Sequence, residues 1–429
     1  MTHSDLHSDA YASERDAADP LRHFRDEFLI PPHDGKPQAY FCGNSLGLQP
    51  RGVRAHVEEV LDKWASEAVE GHFREPAPWM PYHALVREAL ADLVGAQPSE
   101  VVAMNSLTAN LHLMMVSFYR PTRERPAILM EAGAFPSDHH ALESQVLFHG
   151  FDPATDLIEV QPDEEDGTFS MQAIERAITE NASRLALVVW PGVQYRTGQA
   201  FDLAEIARLA HAAGAVVGFD LAHAVGNLPL RLHDSGADFA VWCHYKYVNA
   251  GPGAVAGCFV HERHAHTDRP RFAGWWGHDQ GTRFQMRPEF IPTPGADGWQ
   301  LSNPPILGLA PLRASLELFG RAGMDALRAK SETLTGYLEQ LIRARLPSTL
   351  QIVTPRDPRR RGCQLSLRVL GGRGLTGRRA GRDLFDYLAT QGVIGDWREP
   401  DVIRISPAPL YNHHADVLRF VRAAEAWCG

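Results

Sequence analysis

Three side chains with the chemistry to act on a bound ligand lie close together in the sequence: Asp220, His223 and Lys246. Asp220 follows the apolar run Ala215–Phe219, and Lys246 comes shortly after a second apolar run, Phe239–Trp242. Short apolar runs of this kind, separated by helical segments, predict buried parallel strands of an α/β sheet. Open α/β sheets bind ligands beyond the carboxyl ends of their strands, so we expect all three side chains to face one site.

A lysine amine and a carboxylate at such an edge suit the chemistry of pyridoxal phosphate (PLP). The lysine forms a Schiff base with the cofactor aldehyde, and an acidic residue keeps the pyridine nitrogen protonated. Lys246 is flanked by Tyr245 and Tyr247, and the glycines that follow allow close approach of the backbone. The alternative is an ordinary surface lysine and a strand-end aspartate, and these residues alone leave both interpretations open.

Further strands and helices succeed one another along the chain as expected for an α/β protein. Strands are predicted at Ala127–Glu131 and from residue 185, and helical spacing follows over Leu203–Ala213. This succession indicates right-handed crossovers and a mainly parallel sheet flanked by helices. From Gln351 the pattern becomes α+β, with a closing helix at His414–Trp427. The sequence therefore predicts a large α/β domain and a smaller α+β C-terminal domain.

The chain length and the composition give a predicted domain organisation. At 429 residues the chain is too long for one small core, so two domains are expected. The polar, acidic residues 1–20 predict a flexible tail. We expect residues 21–50 to associate with the small domain, residues 51–310 to form the large, PLP-binding domain and residues 311–429 to form the small domain.

Bulk properties exclude several classes of function. A net charge of −10 argues against nucleic acid as the main partner. No run approaches the roughly 20 apolar residues that span a bilayer, and the N-terminus has no apolar signal core. Five cysteines with irregular spacing are typical of a reduced, cytoplasmic protein. The 21 histidines include close pairs, but none of these pairs is accompanied by the carboxylates and cysteines of a recognisable metal site, and no metal is assigned.

Two segments carry residues suited to a planar, phosphorylated cofactor. Ser106 and Thr108 open a predicted helix, whose free N–H groups and dipole attract an anion. Most helix caps bind no ligand, so this signal is weak by itself. Phe135 has an aromatic face that suits stacking on a planar ring, although it equally suits a core position.

Two loops are candidates for contacts with a ligand. Residues 71–82 are rich in proline, aromatic residues and charge and include His72, so this loop either faces a substrate or is a plain connector. Residues 272–286 contain adjacent tryptophans. The indole N–H of Trp275 or Trp276 is a donor that suits a phosphate or carbonyl oxygen.

Several segments together resemble the kynureninase family of PLP enzymes. They are YFCGNSLGLQP, MNSLTANLHLMM, FPSD, FDLAHAVGN, the WCHYKY stretch with its following GPG, GWWGH and SNPPI. Their order and spacing agree from about residue 20 to the C-terminus, which makes the resemblance more specific than any single motif. It implies PLP fold type I, the aspartate aminotransferase-like fold.

The resemblance also implies roles for individual residues. Lys246 would carry the cofactor and shuttle the α-proton of the substrate, Asp220 would pair with the pyridinium nitrogen, and Tyr245 would bind phosphate and assist catalysis. The residues implied for the cofactor are Leu107, Thr108, Phe135, Pro136, Ser137, Asp138, Asp220, His223, Tyr245, Lys246, Trp275 and Asn303. Those implied for the substrate are His72, Asn303 and Arg404, with Arg404 holding the carboxylate through its planar fork.

By the same resemblance, the protein would be a homodimeric PLP-dependent hydrolase acting on C–C bonds in ketonic substances. It would cleave the Cβ–Cγ bond of L-kynurenine to anthranilate and L-alanine, in tryptophan catabolism and NAD precursor metabolism. Trp275 and Asn303 would reach the cofactor from the partner subunit.

The sequence leaves open the preference for 3-hydroxykynurenine and the water-activating base, for which the cofactor phosphate acting through Tyr245 is one hypothesis. Pro191 stands where the resemblance implies a serine, so a hydroxyl contact with the cofactor would be missing.

Other functions are compatible with parts of this pattern. A cysteine desulfurase of the same fold would use His244 and take Cys363 as the persulfide nucleophile, but Cys363 lies in an alternating pattern that predicts a buried strand. An aminotransferase would share the same PLP machinery. A non-catalytic regulator with a PLP fold would not need the full set of Lys246, Asp220, Thr108 and Arg404.

Overall fold

The centre of the molecule is a seven-stranded sheet, seen in a computed structural model that describes residues 5–429. Its strands in chain order are β1 Val101–Ala103, β2 Ala127–Glu131, β3 Leu157–Val160, β4 Leu185–Pro191, β5 Val216–Asp220, β6 Phe239–Trp242 and β7 Gly257–Val260. Across the sheet the order is β1-β7-β6-β5-β4-β2-β3. Strand β7 is antiparallel to both of its neighbours, and the remaining strands pair in parallel. The predicted mainly parallel sheet is confirmed.

The central strands are buried on both faces. In β4, Val188 and Trp190 pack into one apolar core, and Leu187 and Val189 pack into a second core on the opposite face. This alternation follows from the two-residue period of a strand, and burial on both faces is typical of parallel sheets covered by helices. The strand is therefore apolar throughout, as the sequence of residues 185–190 shows.

Helices cover both faces of the sheet and continue into the C-terminal part. They are α1 Asp9–Ala18, α2 Val53–Glu67, α3 Arg87–Val94, α4 Leu107–Phe118, α5 Pro136–Phe148, α6 Met171–Glu180, α7 Leu203–Ala212, α8 Ile306–Ala322, α9 Met324–Arg345, α10 Gly377–Thr390 and α11 His414–Cys428, with single turns at Pro153–Asp156 and Leu232–Ser235. None of the described helices combines the length and the apolar character that a bilayer crossing requires. Helix α8 runs across the predicted boundary at residue 310, and the domain boundaries stay a prediction.

A second, antiparallel sheet lies in the C-terminal part of the chain. Its strands are β8 Leu350–Ile352, β9 Leu365–Val369, β10 Asp396–Arg398 and β11 Val402–Ile405, in the order β8-β9-β11-β10. A separate apolar core joins this sheet to α9, α10 and α11. The N-terminal segment contributes Ala39–Tyr40, which pairs in parallel with Val393–Ile394. Two-residue strands also pair Phe28–Leu29 with Gln49–Pro50, Pro32–His33 with Lys36–Pro37, and Gly371–Gly372 with Leu375–Thr376.

The N-terminal residues differ from the predicted flexible tail. Residues 1–4 lie outside the described part of the chain, but α1 is a helix that packs against α11. The Asp16 carboxylate accepts hydrogen bonds from the backbone N–H groups of His414 at 2.7 Å and Ala415 at 3.1 Å, which caps the start of α11. These partners are at opposite ends of the chain, so no local sequence pattern reveals the contact.

Candidate active site

One cavity lies at the carboxyl edge of the parallel strands. Of the predicted cofactor residues, those that line it are Leu107, Thr108, Phe135, Ser137, Asp138, Asp220, His223, Tyr245 and Lys246. The other lining residues are Glu131, Pro191, Val193, Tyr195 and Ala222. The fold therefore brings together side chains from the ends of β2, β4 and β5, the starts of α4 and α5, and the loop after β6.

The Lys246 amine lies at the surface of this cavity. Its Nζ is 2.9 Å from Nε2 of His223 and 5.9 Å from the ring centroids of both Phe135 and Tyr245. Burial, and then the positive charge of Lys246, lowers the pKa of His223 well below its ordinary value. A neutral His223 therefore contacts the amine, and its Nδ1 has no hydrogen-bond partner within the described residues.

The turn after Ala39–Tyr40 holds the lysine loop in place. The Gly47 N–H donates to the carbonyl of Tyr245 at 2.8 Å, and a Cβ at Gly47 would lie only 2.4 Å from the carbonyl oxygen of Lys246. Any other residue at this position would displace the backbone that carries the amine. The glycine therefore supports the site through backbone packing.

Asp220 is the last residue of β5, beside the cavity. Its Oδ1 accepts a hydrogen bond from the backbone N–H of Ala222 at 2.6 Å, which fixes the side chain. In the sheet register, Asp220 pairs with Pro191 of β4. Gly218 is required two residues earlier, because a Cβ there would lie 2.0 Å from the Phe239 ring.

Two further carboxyl groups face the same cavity as Asp220. Burial, followed by the charge of Asp220, raises the pKa of Glu131 to about 8. Burial and Asp220 likewise raise the pKa of Asp138 well above its ordinary value. Glu131 Oε2 and Asp138 Oδ1 have no hydrogen-bond partner among the described residues. Because like charges at close range cannot all ionise, the charge of Asp220 favours the protonated forms of Glu131 and Asp138.

Glu131 is not among the residues predicted for the cofactor. Its signal was present, because an acidic residue ends the apolar strand Ala127–Glu131 in the same way that Asp220 ends β5. Tyr195 was also missed, since it lies in a turn without a distinctive motif. Both residues line the cavity.

Two helices begin at one end of the cavity. Neither Ser106 at the start of α4 nor Phe135 at the start of α5 caps its helix with a side-chain hydrogen bond. Thr108 Oγ1 lies 2.6 Å from Ser137 Oγ, so two hydroxyl groups lie together at the starts of the two helices. Pro136 has no N–H and the Asp138 N–H donates to the Phe135 carbonyl at 2.9 Å, so the free N–H groups belong mainly to the start of α4. Two converging helix N-termini form a site for an anion such as a phosphate.

These features fit the PLP that the resemblance implies. The cavity offers an amine for an aldehyde, a fixed carboxylate for a ring nitrogen and an anion site for a phosphate. It also contains buried polar atoms without partners in the described chain, on Glu131, Asp138 and His223, which a polar ligand can reach.

Arg404 does not line the cavity and is fully buried. Its Nε and Nη2 donate to Asp396 Oδ1 at 3.0 and 2.8 Å, and its Nη1 donates to the carbonyl of Tyr195 at 2.8 Å. The guanidinium is thus held by the neighbouring strand β10 and by the turn after β4.

The remaining predicted residues also lie outside the cavity lining of the single chain. His72 is half-buried and packs edge to face on Trp79, with ring centroids 5.3 Å apart. Trp275 is 41% exposed, and Asn303 is exposed. Pro136 is the first residue of α5 and borders the cavity through its neighbours Phe135 and Ser137.

The two residues suggested for a desulfurase have structural roles instead. Cys363 is fully buried, and burial raises the pKa of its thiol to about 12. His244 is also fully buried, accepts a hydrogen bond from Trp242 Nε1 at 2.7 Å and contacts the carbonyl of Val255 at 2.6 Å. A buried, protonated thiol cannot act as a mobile nucleophile.

A buried carboxylate outside the cavity, Glu100, has two histidines beside it, His233 and His261, close enough to share a metal ion. The Glu100 oxygens accept hydrogen bonds from the backbone N–H groups of Gln97 at 2.8 Å and Glu262 at 2.7 Å. These bonds account for the burial of the carboxylate without an ion.

Comparisons with known proteins place the chain in a family. The aminotransferase class-V family matches residues 39–374, and the kynureninase C-terminal domain family matches residues 327–423. A protein named kynureninase from Xanthomonas euvesicatoria pv. vesicatoria (strain 85-10) is 69% identical over 99% of both chains. Another of that name, from Stenotrophomonas maltophilia (strain K279a), is 68% identical over 99% of this chain and 100% of its own.

Solved structures share the fold at low sequence identity. The apo cysteine desulfurase from Thermococcus onnurineus NA1 has a TM-score of 0.74 and 16% identity, covering 97% of this chain and 98% of its own. A cysteine desulfurase from Escherichia coli has a TM-score of 0.74 and 17% identity, covering 95% and 98%. With the class-V match, these likenesses confirm the predicted PLP fold type I. By sequence over nearly its full length, the chain belongs to the kynureninase family.

Proposed function

We propose that this protein is a PLP-dependent hydrolase that cleaves L-kynurenine at its Cβ–Cγ bond to give anthranilate and L-alanine. The observation that carries the proposal is that the Lys246 amine and the Asp220 carboxyl face one cavity, together with two helix N-termini. The full-length similarity to proteins named kynureninase supports the choice of substrate.

When bound, PLP withdraws electrons from the substrate and makes its α-proton and its Cβ–Cγ bond labile. Lys246 then holds and moves a proton at Nζ, within 2.9 Å of the neutral His223. Asp220 stays fixed by the Ala222 N–H and keeps the ring nitrogen charged. The raised pKa values of Glu131 and Asp138 favour their neutral forms, which limits the negative charge beside Asp220.

The phosphate end of the cavity orients the cofactor. The N–H groups at Leu107 and Thr108, with the hydroxyls of Thr108 and Ser137, would hold the phosphate. Phe135 would stack on the ring, with Lys246 Nζ 5.9 Å from its centroid. Tyr245 would contact the phosphate and transfer a proton to or from water. Burial raises the pKa of Tyr245, so the phenol keeps its proton.

We infer that the complete site is shared by two subunits of a homodimer. Trp275 and Asn303 are exposed in the single chain, and the partner subunit would bring them to the cavity. Near His72, Val69 and Phe73 are 67% and 61% exposed, and near Trp275 the side chain of Met286 is 70% exposed. Exposed apolar side chains on these segments are suited to a subunit interface.

The substrate carboxylate would bind through Arg404, and its aromatic side would contact His72 and Asn303. Because Arg404 is buried and already paired with Asp396, binding would require the guanidinium to share its donors with a second carboxylate. The two-domain organisation, with residues 21–50 joined to the small domain, and the cytoplasmic location belong to the same proposal.

The direct test is an assay with L-kynurenine on purified protein supplied with PLP. We expect anthranilate, followed by its fluorescence, and nearly complete loss of its release in Lys246→Ala. Arg404→Lys is the matched variant at the residue proposed to bind the substrate carboxylate. It should raise the KM for kynurenine while cofactor binding is retained. Strong activity on cysteine with none on kynurenine would contradict the proposal.

A further inference from the structure

The turn after β4 joins the two sheets of the molecule. Three consecutive carbonyl groups of this turn accept hydrogen bonds from C-terminal side chains: Tyr195 from Arg404 at 2.8 Å and Gln364 at 3.1 Å, Arg196 from Ser366 at 2.6 Å, and Thr197 from Thr354 at 2.6 Å. These bonds link the end of β4 directly to side chains of the C-terminal part.

The turn is also braced from within. Gln194 Oε1 accepts the backbone N–H groups of Arg196 at 2.7 Å and Thr197 at 2.8 Å, and the Gly198 N–H donates to the Gln194 carbonyl at 2.9 Å. Its donors are bound by Gln194 and its carbonyls by the C-terminal side chains, so the shape of the turn depends on both sets of bonds.

The Tyr195 side chain points the other way, into the cavity. It lines the cavity wall and meets Phe135 edge to face, with ring centroids 5.3 Å apart and an interplanar angle of 82°. This is a preferred geometry for an aromatic pair. Phe135 is 43% exposed, so the chain encloses its ring only in part.

We propose that Tyr195 is a positioning residue that fixes the Phe135 ring against the cofactor and, through its backbone carbonyl, fixes the Arg404 guanidinium that receives the substrate carboxylate. The proposal rests on the proposed function. It assigns two separable tasks to one residue: the ring sets cofactor affinity, and the backbone sets substrate affinity.

The first arm of the test measures PLP binding to the cofactor-free protein by quenching of its fluorescence. Tyr195→Phe keeps the ring, so its Kd for PLP should stay within about twofold of the unmodified protein. Tyr195→Ala removes the ring contact and should raise the Kd by about 3- to 10-fold. In a double-mutant cycle, Tyr195→Ala should add little to Phe135→Ala.

The second arm compares Tyr195→Ala with Tyr195→Gly, which both lack the ring and differ in backbone freedom. Glycine should raise the KM for kynurenine by a further 3-fold or more, with the Kd for PLP and kcat nearly equal to those of the alanine variant. Both variants should keep the thermal unfolding midpoint of the cofactor-free protein within a few degrees, which separates positioning from a loss of fold.

The outcomes distinguish this proposal from the proposed function. If the unmodified protein binds no PLP or releases no anthranilate, the proposed function fails, whatever the Tyr195 variants do. If the unmodified protein does both, the positioning role is overturned by an unchanged Kd in Tyr195→Ala, by additive effects with Phe135→Ala, or by equal KM values for the alanine and glycine variants.

Discussion

Buried carboxyl groups occur at two places beside the central sheet: at Asp238, and in the cavity at Glu131 and Asp138. The two places differ in the hydrogen-bond donors that surround the carboxyl oxygens. Asp238, just before β6, accepts hydrogen bonds from His211 at 2.9 Å, His264 at 2.8 Å, Arg263 at 2.9 Å and the Val217 N–H at 2.9 Å. Burial alone raises its pKa, but the bonds from His211 and His264 outweigh it, so the pKa of Asp238 is well below its usual range.

In the cavity, by contrast, carboxyl oxygens on Glu131 and Asp138 lack partners within the described chain, and the pKa values of both groups are raised by burial. The carboxyl side chains in the two clusters are all buried. A buried carboxylate whose hydrogen bonds are satisfied within the chain stabilises the fold, whereas buried carboxyl oxygens without a hydrogen-bond partner mark a place where a ligand can supply one.

The largest expected effect separates function from stability at the cavity. Asp220→Asn removes the charge opposite the cofactor nitrogen while it keeps the shape and the acceptor for the Ala222 N–H. We expect kcat to fall by about 10²–10⁴-fold, with the thermal unfolding midpoint nearly unchanged. Steady-state anthranilate release and thermal melting check this. A kcat within tenfold of that of the unmodified protein would contradict the assignment of Asp220 to catalysis.

The matched change at the other cluster should do the reverse. Asp238→Asn leaves the Arg263 and histidine donors without a charged partner and should lower the free energy of unfolding by about 3 kcal/mol, because it breaks a buried ion pair. Since the lowered pKa of Asp238 gives stability above the unfolded value and loses it as pH falls, the loss should be largest near neutral pH and shrink below about pH 4. Urea unfolding near neutral pH and below about pH 4 measures the loss of unfolding free energy. Equal losses at the two pH values would argue against a stabilising charge on Asp238.

The pH dependence of stability should reveal the proton on Glu131. Its pKa rises from 4.5 to about 8 on folding, so the stability it contributes is complete below the unfolded value and is lost as pH rises towards 8. Glu131→Gln stays neutral at every pH. Between pH 5 and pH 8, the cofactor-free unmodified protein should lose on the order of 2 kcal/mol more than this variant. Parallel stability curves in urea would contradict a protonated Glu131.

The smallest expected effect tests one bond of the Asp238 cluster. His211 is 40% exposed at its side chain and supplies one donor, so His211→Gln should lower the free energy of unfolding by only about 1 kcal/mol. The Arg263 and His264 contacts remain in that variant. A loss as large as that in Asp238→Asn would mean that the cluster depends on a single histidine.

The sequence predicted the features that depend on residues close together in the chain. Asp220 and Lys246 were found because short apolar runs precede them, and α4 was found because polar residues open an apolar stripe. The partner of Arg404, which is Asp396, was not predicted, because it depends on the register between β10 and β11. The docking of α1 through Asp16 was missed for the same reason, since its partners come from the far end of the chain.

The central claim is that Lys246 carries PLP in the cavity, and borohydride reduction of the protein with bound PLP tests it most directly. Reduction makes the bond between the lysine and the cofactor permanent, and peptide mass spectrometry then locates it. We predict a single phosphopyridoxyl adduct on Lys246, with loss of the visible absorption. An adduct on another lysine, or none at all in protein that still binds PLP, would contradict the assignment.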